Sequence, residues 1–226
     1  MFALNYEILS TAKTILSEYK NIYWIIGGAC SGKSTICKYI AAQKNIPVYN
    51  KDENIFGKYI PLYDKNLHPA NDAWFSSDNP LDWVLSLSLE KFESLNKAAN
   101  AEYLDLFAKE IMNHSKNEFL LVDGGISFPS VLSRCFPINN IVCLYITPEE
   151  SRFLWENSKE REPMKKMILE LPDGKNKWNN FLLHDKNITD TCLSESKKEG
   201  IKIIYRKEGD TIEDLSEQAM KHFGIN

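Results

Sequence analysis

IYWIIGGACSGKST, residues 22–35, joins a run of apolar β-formers to a glycine-bounded loop and then to a helical pattern. The loop through Gly27, Gly28, Ala29, Cys30, Ser31, Gly32, Lys33, Ser34 and Thr35 fits the phosphate-binding pattern G-x-x-x-x-G-K-[ST], with Gly27 as its first glycine. Glycines let the chain wrap tightly, so that backbone N–H groups converge on a β-phosphate at the positive end of a new helix. Lys33 would reach the β- and γ-phosphates, and the Ser34 hydroxyl would ligate Mg²⁺. The setting gives the pattern its weight. Residues 22–26 read as a buried strand, and Ile36, Tyr39, Ile40, Ala41 and Ala42 supply the helix that follows. The expected ligand is a nucleoside triphosphate.

A chain of 226 residues with 43% hydrophobic content fits one α/β domain with a modest insertion. The net charge is -4, and no stretch concentrates Lys or Arg, so nothing supplies the counterion release that drives binding to long nucleic acids. Arginine is scarce: Arg134, Arg152, Arg161 and Arg206 are the only four, against 23 lysines. Cys30, Cys37, Cys135, Cys143 and Cys192 form no C-x-x-C pair and read as reduced thiols of a cytoplasmic protein, with Cys30 set apart inside the phosphate loop. His68, His114, His184 and His222 are scattered and suggest no metal site. The N-terminus has acidic residues and no long apolar core, so an amphipathic helix is expected there, not a signal or a membrane span.

Short apolar runs at residues 22–26, 46–49, 119–122, 141–146 and 201–205 read as five buried parallel strands separated by helices. Two helix starts are well signed. Thr147, Pro148 and Glu150 combine an N-cap, proline at N1 and glutamate at N3, and Asp210 to Glu213 repeats the cap-to-N3 arrangement. Between the second and third runs, residues 57–80 look irregular and residues 81–113 have helical spacing. A polar stretch over 157–180, broken by Pro163 and Pro172, forms a segment able to swing. Asp123 ends the third apolar run, where a carboxylate beside the phosphate loop holds Mg²⁺ through its water shell.

These features together resemble the P-loop small-molecule kinases, the group that includes adenylate, shikimate and gluconate kinases and chloramphenicol phosphotransferase. The resemblance rests on the phosphate loop, the strand-end sequence VDGG at 122–125, the TPEE helix start at 147–150, an arginine-containing segment and a final strand followed by GDTIED at 209–214. It implies a three-layer α/β fold over 1–226 with strand order 2-3-1-4-5, a substrate-binding insertion at 51–117 and a lid at 152–180. It also implies ATP and Mg²⁺ as cofactors, with Gly27 to Thr35 on the phosphates and Ser34 and Asp123 at the metal. Arg152 and Arg161 would close on the nucleotide or the transferring group, converging only if their helix breaks near Asn157 and Ser158. The loop at 206–209 would hold the adenine edge.

Hydroxyl kinases place a carboxylate near the end of the second strand, and Asp52 occupies that place; its alternative reading is a helix N-cap. Monophosphate kinases grip the acceptor phosphate with arginines from the insertion, and this insertion has none. A small uncharged hydroxyl compound is therefore the expected acceptor, with a monophosphate held by Lys51, Lys58 or Lys65 as the alternative. Phe56, Tyr59, Tyr63, Trp74, Phe75 and Trp83 are available to wall a pocket for a ring-shaped substrate or to pack the insertion. The rival from another class is an ATP-binding switch that hydrolyses nucleotide without an acceptor. A GTPase is disfavoured because no N-K-x-D motif occurs.

Overall fold

The computed structural model describes residues 1–225. Its strands are β1 (Ile22–Ile26), β2 (Val48–Asn50), β3 (Leu120–Asp123), β4 (Ile141–Tyr145) and β5 (Lys202–Tyr205). They form one parallel sheet in the order β2-β3-β1-β4-β5, the order expected. The helices are α1 (Tyr6–Leu16), α2 (Lys33–Lys44), α3 (Lys51–Glu53), α4 (Pro69–Phe75), α5 (Pro80–Leu85) and α6 (Leu89–Ile111), followed by α7 (Pro129–Leu132), α8 (Pro148–Asn157), α9 (Glu162–Leu169), α10 (Gly174–Glu199) and α11 (Ile212–Phe223). Among the described residues, no helix is long and apolar enough to cross a membrane.

The period-two alternation of β1 builds the layers. Ile22, Trp24 and Ile26 enter one core with residues of α1, α6 and α7, whereas Tyr23 and Ile25 enter another with Ile36, Cys37 and Ile40 of α2 and Leu215, Ala219 and Phe223 of α11. Both sides of the central strand are covered, which is why it reads as a continuous apolar run. The edges differ. Val48 of β2 and Lys202 and Tyr205 of β5 are exposed, so these two are not buried strands of the kind expected.

Local chemistry accounts for the ends of the elements. Thr147 and Glu150 form the expected capping box, with Pro148 in the first turn. At α11 the cap is Thr211 with Asp214 as its partner, one residue later than the spacing from Asp210 to Glu213 suggests. Both frames set a capping side chain three residues before a carboxylate, Asp210 before Glu213 and Thr211 before Asp214, and the helix uses the second.

The insertion is more regular than its prolines imply. Pro69 and Pro80 sit in the first turns of α4 and α5, where a missing N–H costs nothing. Residues 81–113 are two helices rather than one, because Ser88 stops the first pattern and caps α6. Glu102 of α6, 1% exposed, accepts the Ala70 and Asn71 backbone N–H groups and thereby ties α4 down. A third hydrophobic cluster joins the insertion to the segment at 152–180, with Phe92 and Leu95 packed among Trp155, Ile168 and Trp178. That segment comprises the rest of α8, all of α9 and the first turns of α10, which runs on far beyond residue 180 along the core.

Candidate active site

The phosphate loop leaves β1 at Gly27, whose φ of 144° is open to glycine alone; a Cβ there would stand 2.1 Å from the Leu144 carbonyl oxygen. Gly28 is required by close approach: its Cβ would meet Thr189 Oγ1 of α10 at 2.2 Å. Cys30 is left-handed at φ 60°, and Gly32 at φ 96° is the N-cap of α2. The loop therefore curls into a nest opening on the α2 N-terminus. Ser31 is fully buried within it, and its hydroxyl has no partner among the described residues. Lys33 Nζ donates to Gly28 O at 2.8 Å, folded back across the loop it would leave to meet a phosphate.

Parallel pairing sets Asp123 opposite Ile25, two residues before the loop begins. Burial pushes its carboxyl upward, while a hydrogen bond from Ser34 and the charge of Lys33 oppose that shift. Ser34 and Asp123 are thus brought together as two hard oxygen donors. No cluster of three or more His, Cys, Asp or Glu capable of holding a metal occurs among the described residues. Two protein oxygens beside a phosphate nest suit Mg²⁺, which completes its shell with phosphate and water.

A cleft of about 490 Å³ lies over the loop, lined also by Asp52, Asn96, Arg161, Asp185 and Arg206. Arg206 donates to Cys30 O at 3.2 Å, linking the β5 exit to the loop. A further hollow of about 540 Å³ shares Arg206 and Leu154 with it and includes Phe153, Lys207 and Gly209. This is the place expected for a base. The Cys30 thiol, by contrast, is pushed up by burial, so it is not a reactive thiolate.

Arg152 and Arg161 are not brought together. The helix does end at Asn157, and Ser158 is extended, yet Arg152 points away and pairs with Glu156 at 3.1 Å. Arg152 lines a separate surface hollow with Pro148 and Lys186, whereas Arg161 alone reaches the cleft, its guanidinium 4.8 Å from the Trp155 ring centroid.

A second cavity, of about 320 Å³, adjoins the cleft across a wall shared by Asp52, Asn96, Gly125, Asp185 and Ile188. Asp52 is not a cap; Asn50 accepts from Glu53 N in that role, leaving the Asp52 carboxylate for the cleft. Phe56 and Trp74 line the cavity as expected, but Tyr59 is buried against Tyr49 and Glu110, and Tyr63 stacks on Phe75. Two of the three lysines proposed for a monophosphate, Lys51 and Lys58, are diverted. Lys58 pairs with Glu110, and Lys51 is 3% exposed, donating to Gly125 O at 3.0 Å with its ammonium 4.4 Å from the Tyr103 ring centroid.

Several lining residues lay outside the sequence reading: Asn96 and Asn100 of α6, and His184, Asp185 and Ile188 of α10. Asp185 is buried, accepts from Ser151 Oγ at 2.8 Å, and is pushed upward by desolvation. Polar residues on the buried stripe of a long helix were the available signal, since His184, Asp185, Thr189 and Cys192 all fall on one face.

No protein-family model matches the chain, and no curated protein matches it. Among solved structures it is similar to shikimate kinase from Aquifex aeolicus vf5, at 18% identity and a TM-score of 0.43, over 90% of this chain and 96% of that one.

Proposed function

We propose that this chain is an ATP-dependent phosphotransferase that moves the γ-phosphoryl group to the hydroxyl of a small molecule. One observation carries the reading: Asp52 lines both the phosphate-loop cleft and the cavity that adjoins it, so a hydroxyl presented from the cavity would meet both a carboxylate and the loop. A switch that only hydrolyses nucleotide has no need of the second cavity.

The chemistry follows from the positions. Backbone N–H groups from Gly27 to Thr35 would bind the β-phosphate, and Lys33, released from Gly28 O, would neutralise charge on the γ-phosphoryl oxygens. Ser34 and Asp123 would hold Mg²⁺, which supplies charge neutralisation and orientation of the phosphates when bound. Asp52 accepts the acceptor's hydroxyl proton as a bond forms between that oxygen and the γ-phosphorus. The bond from the γ-phosphorus to the β–γ bridging oxygen breaks, and ADP departs with the electron pair. Arg161, which lines the same cleft, would offset charge on the transferring group.

The test is coupled ADP detection with ATP and Mg²⁺ against a panel of nucleosides, nucleotides, sugars, ring acids and aminoglycoside or phenicol antibiotics. Release that rises with one compound class and vanishes in Lys33→Ala supports transfer. Equal release without any acceptor supports the switch.

A further inference from the structure

The polar side chains among the walls of the 320 Å³ cavity include Asp52, Asn96, Asn100, Tyr103, His184 and Asp185. On the side shared with the phosphate cleft stand Asp52, Asn96 and Asp185. The remainder is largely apolar, with Phe56, Trp74, Val84, Leu85, Phe92 and Phe181 among its walls. Among the described residues no lysine or arginine lines it, so an anionic ligand would face Asp52 and Asp185 directly, and the nearby Lys51 is already engaged by Gly125 O and the Tyr103 ring.

His184 adds a second, independent observation. It is 3% exposed and lies flat on Phe92, with ring centroids 3.8 Å apart and planes within 8°. Its Nδ1 has no hydrogen-bond partner among the described residues. Burial pushes the imidazole down to about 4, so the ring is neutral at pH 7 and stands beside Phe92 as a second uncharged ring in the cavity wall.

We infer that the molecule seated here is an uncharged aromatic or heteroaromatic alcohol: its flat body lies among the aromatic walls and its hydroxyl meets Asp52. The inference deepens the phosphotransfer reading and rests on it for the role of the hydroxyl. A cavity of this size, at the low end for ligand sites, limits the body to one or two rings.

The test uses the full chain with ATP and Mg²⁺. Adenosine, thymidine and indole-3-methanol are compared with adenosine monophosphate, thymidine monophosphate and indole-3-carboxylate, by ADP release and separately by saturation-transfer NMR. At least one neutral probe is expected to bind about 100-fold more tightly than its anionic counterpart, given the cost of juxtaposed like charges. Phe56→Ala removes an exposed part of the aromatic wall and is expected to weaken that probe about tenfold in KM with Tm little changed; unaltered affinity in a folded variant overturns the assignment. Preference for an anionic member, or failure of every neutral probe to bind at millimolar concentration, overturns the ligand class. A neutral probe that binds in the cavity but is not phosphorylated, while ATP still binds, keeps the ligand class and removes the phosphotransfer reading; phosphorylation of an anionic acceptor does the reverse.

Discussion

Lys51→Met is expected to make the protein more stable below neutral pH. The ammonium of Lys51 is 3% exposed and has no carboxylate in a salt bridge with it. Desolvation, with a contribution from Lys33, pushes its pKa from 10.5 to about 7, although Asp52 opposes the shift. At about 1.4 kcal/mol for each tenfold change in proton affinity, burying the charge costs roughly 5 kcal/mol relative to the unfolded chain. The contact with the Tyr103 ring returns about 2 kcal/mol when desolvated, and the hydrogen bond to Gly125 O about 1–2 kcal/mol. Methionine keeps the length of the side chain, so a net gain of about 1–2 kcal/mol is expected at pH 6. For a chain of this size that is a rise in Tm of roughly 2–8 °C.

The pH dependence carries the sign. A lysine whose folded pKa is depressed leaves the unfolded chain holding more protons between the two values, so stability rises with pH across that interval. For Lys51 the interval runs from about 7 to 10.5. Urea denaturation of parent and variant from pH 6 to 10 checks it: the parent's stability should rise with pH relative to the variant's, and the variant's lead should shrink. A variant less stable than the parent at pH 6, or a difference that does not change from pH 6 to 10, would refute the reasoning.

Other outcomes follow from the same geometry. Lys33→Ala should lower transfer by at least about 10²-fold, with a stability change within about 1 kcal/mol because only the bond to Gly28 O is lost; kinetics and denaturation together check it. Asp52→Asn should reduce transfer by roughly 10² to 10⁴ without altering ATP affinity, and since Asn50 is the cap, Asp52→Ala should not cost helix stability; normal turnover in the Asn variant would remove the base role from Asp52. Asp123→Asn should weaken Mg²⁺-dependent activity more than nucleotide binding, measured by Mg²⁺ titration of rate against ATP affinity. Gly28→Ala should destabilise the fold by about 1–3 kcal/mol through the clash with Thr189, and adding Thr189→Ala should recover part of the loss in a double-mutant cycle.

The phosphate loop, the five strand positions and the carboxylates at Asp52 and Asp123 were legible in the chain itself, because each depends on local rules. A tight nest needs glycine, a buried strand needs an unbroken apolar run, and a helix start needs a cap, all within a few residues. Where two local readings fitted equally, tertiary packing decided: Asn50 rather than Asp52 caps α3, Thr211 rather than Asp210 caps α11, and Arg152 pairs with Glu156 while Arg161 turns to the cleft. The second cavity was beyond sequence reasoning for a different reason. Its polar residues come from α6 and α10, which are far apart in the chain and are amphipathic on several faces, so no spacing reveals that Asn96, His184 and Asp185 share a wall. Local chemistry specifies where phosphates can sit. The packing of two long helices against the sheet decides what can sit beside them.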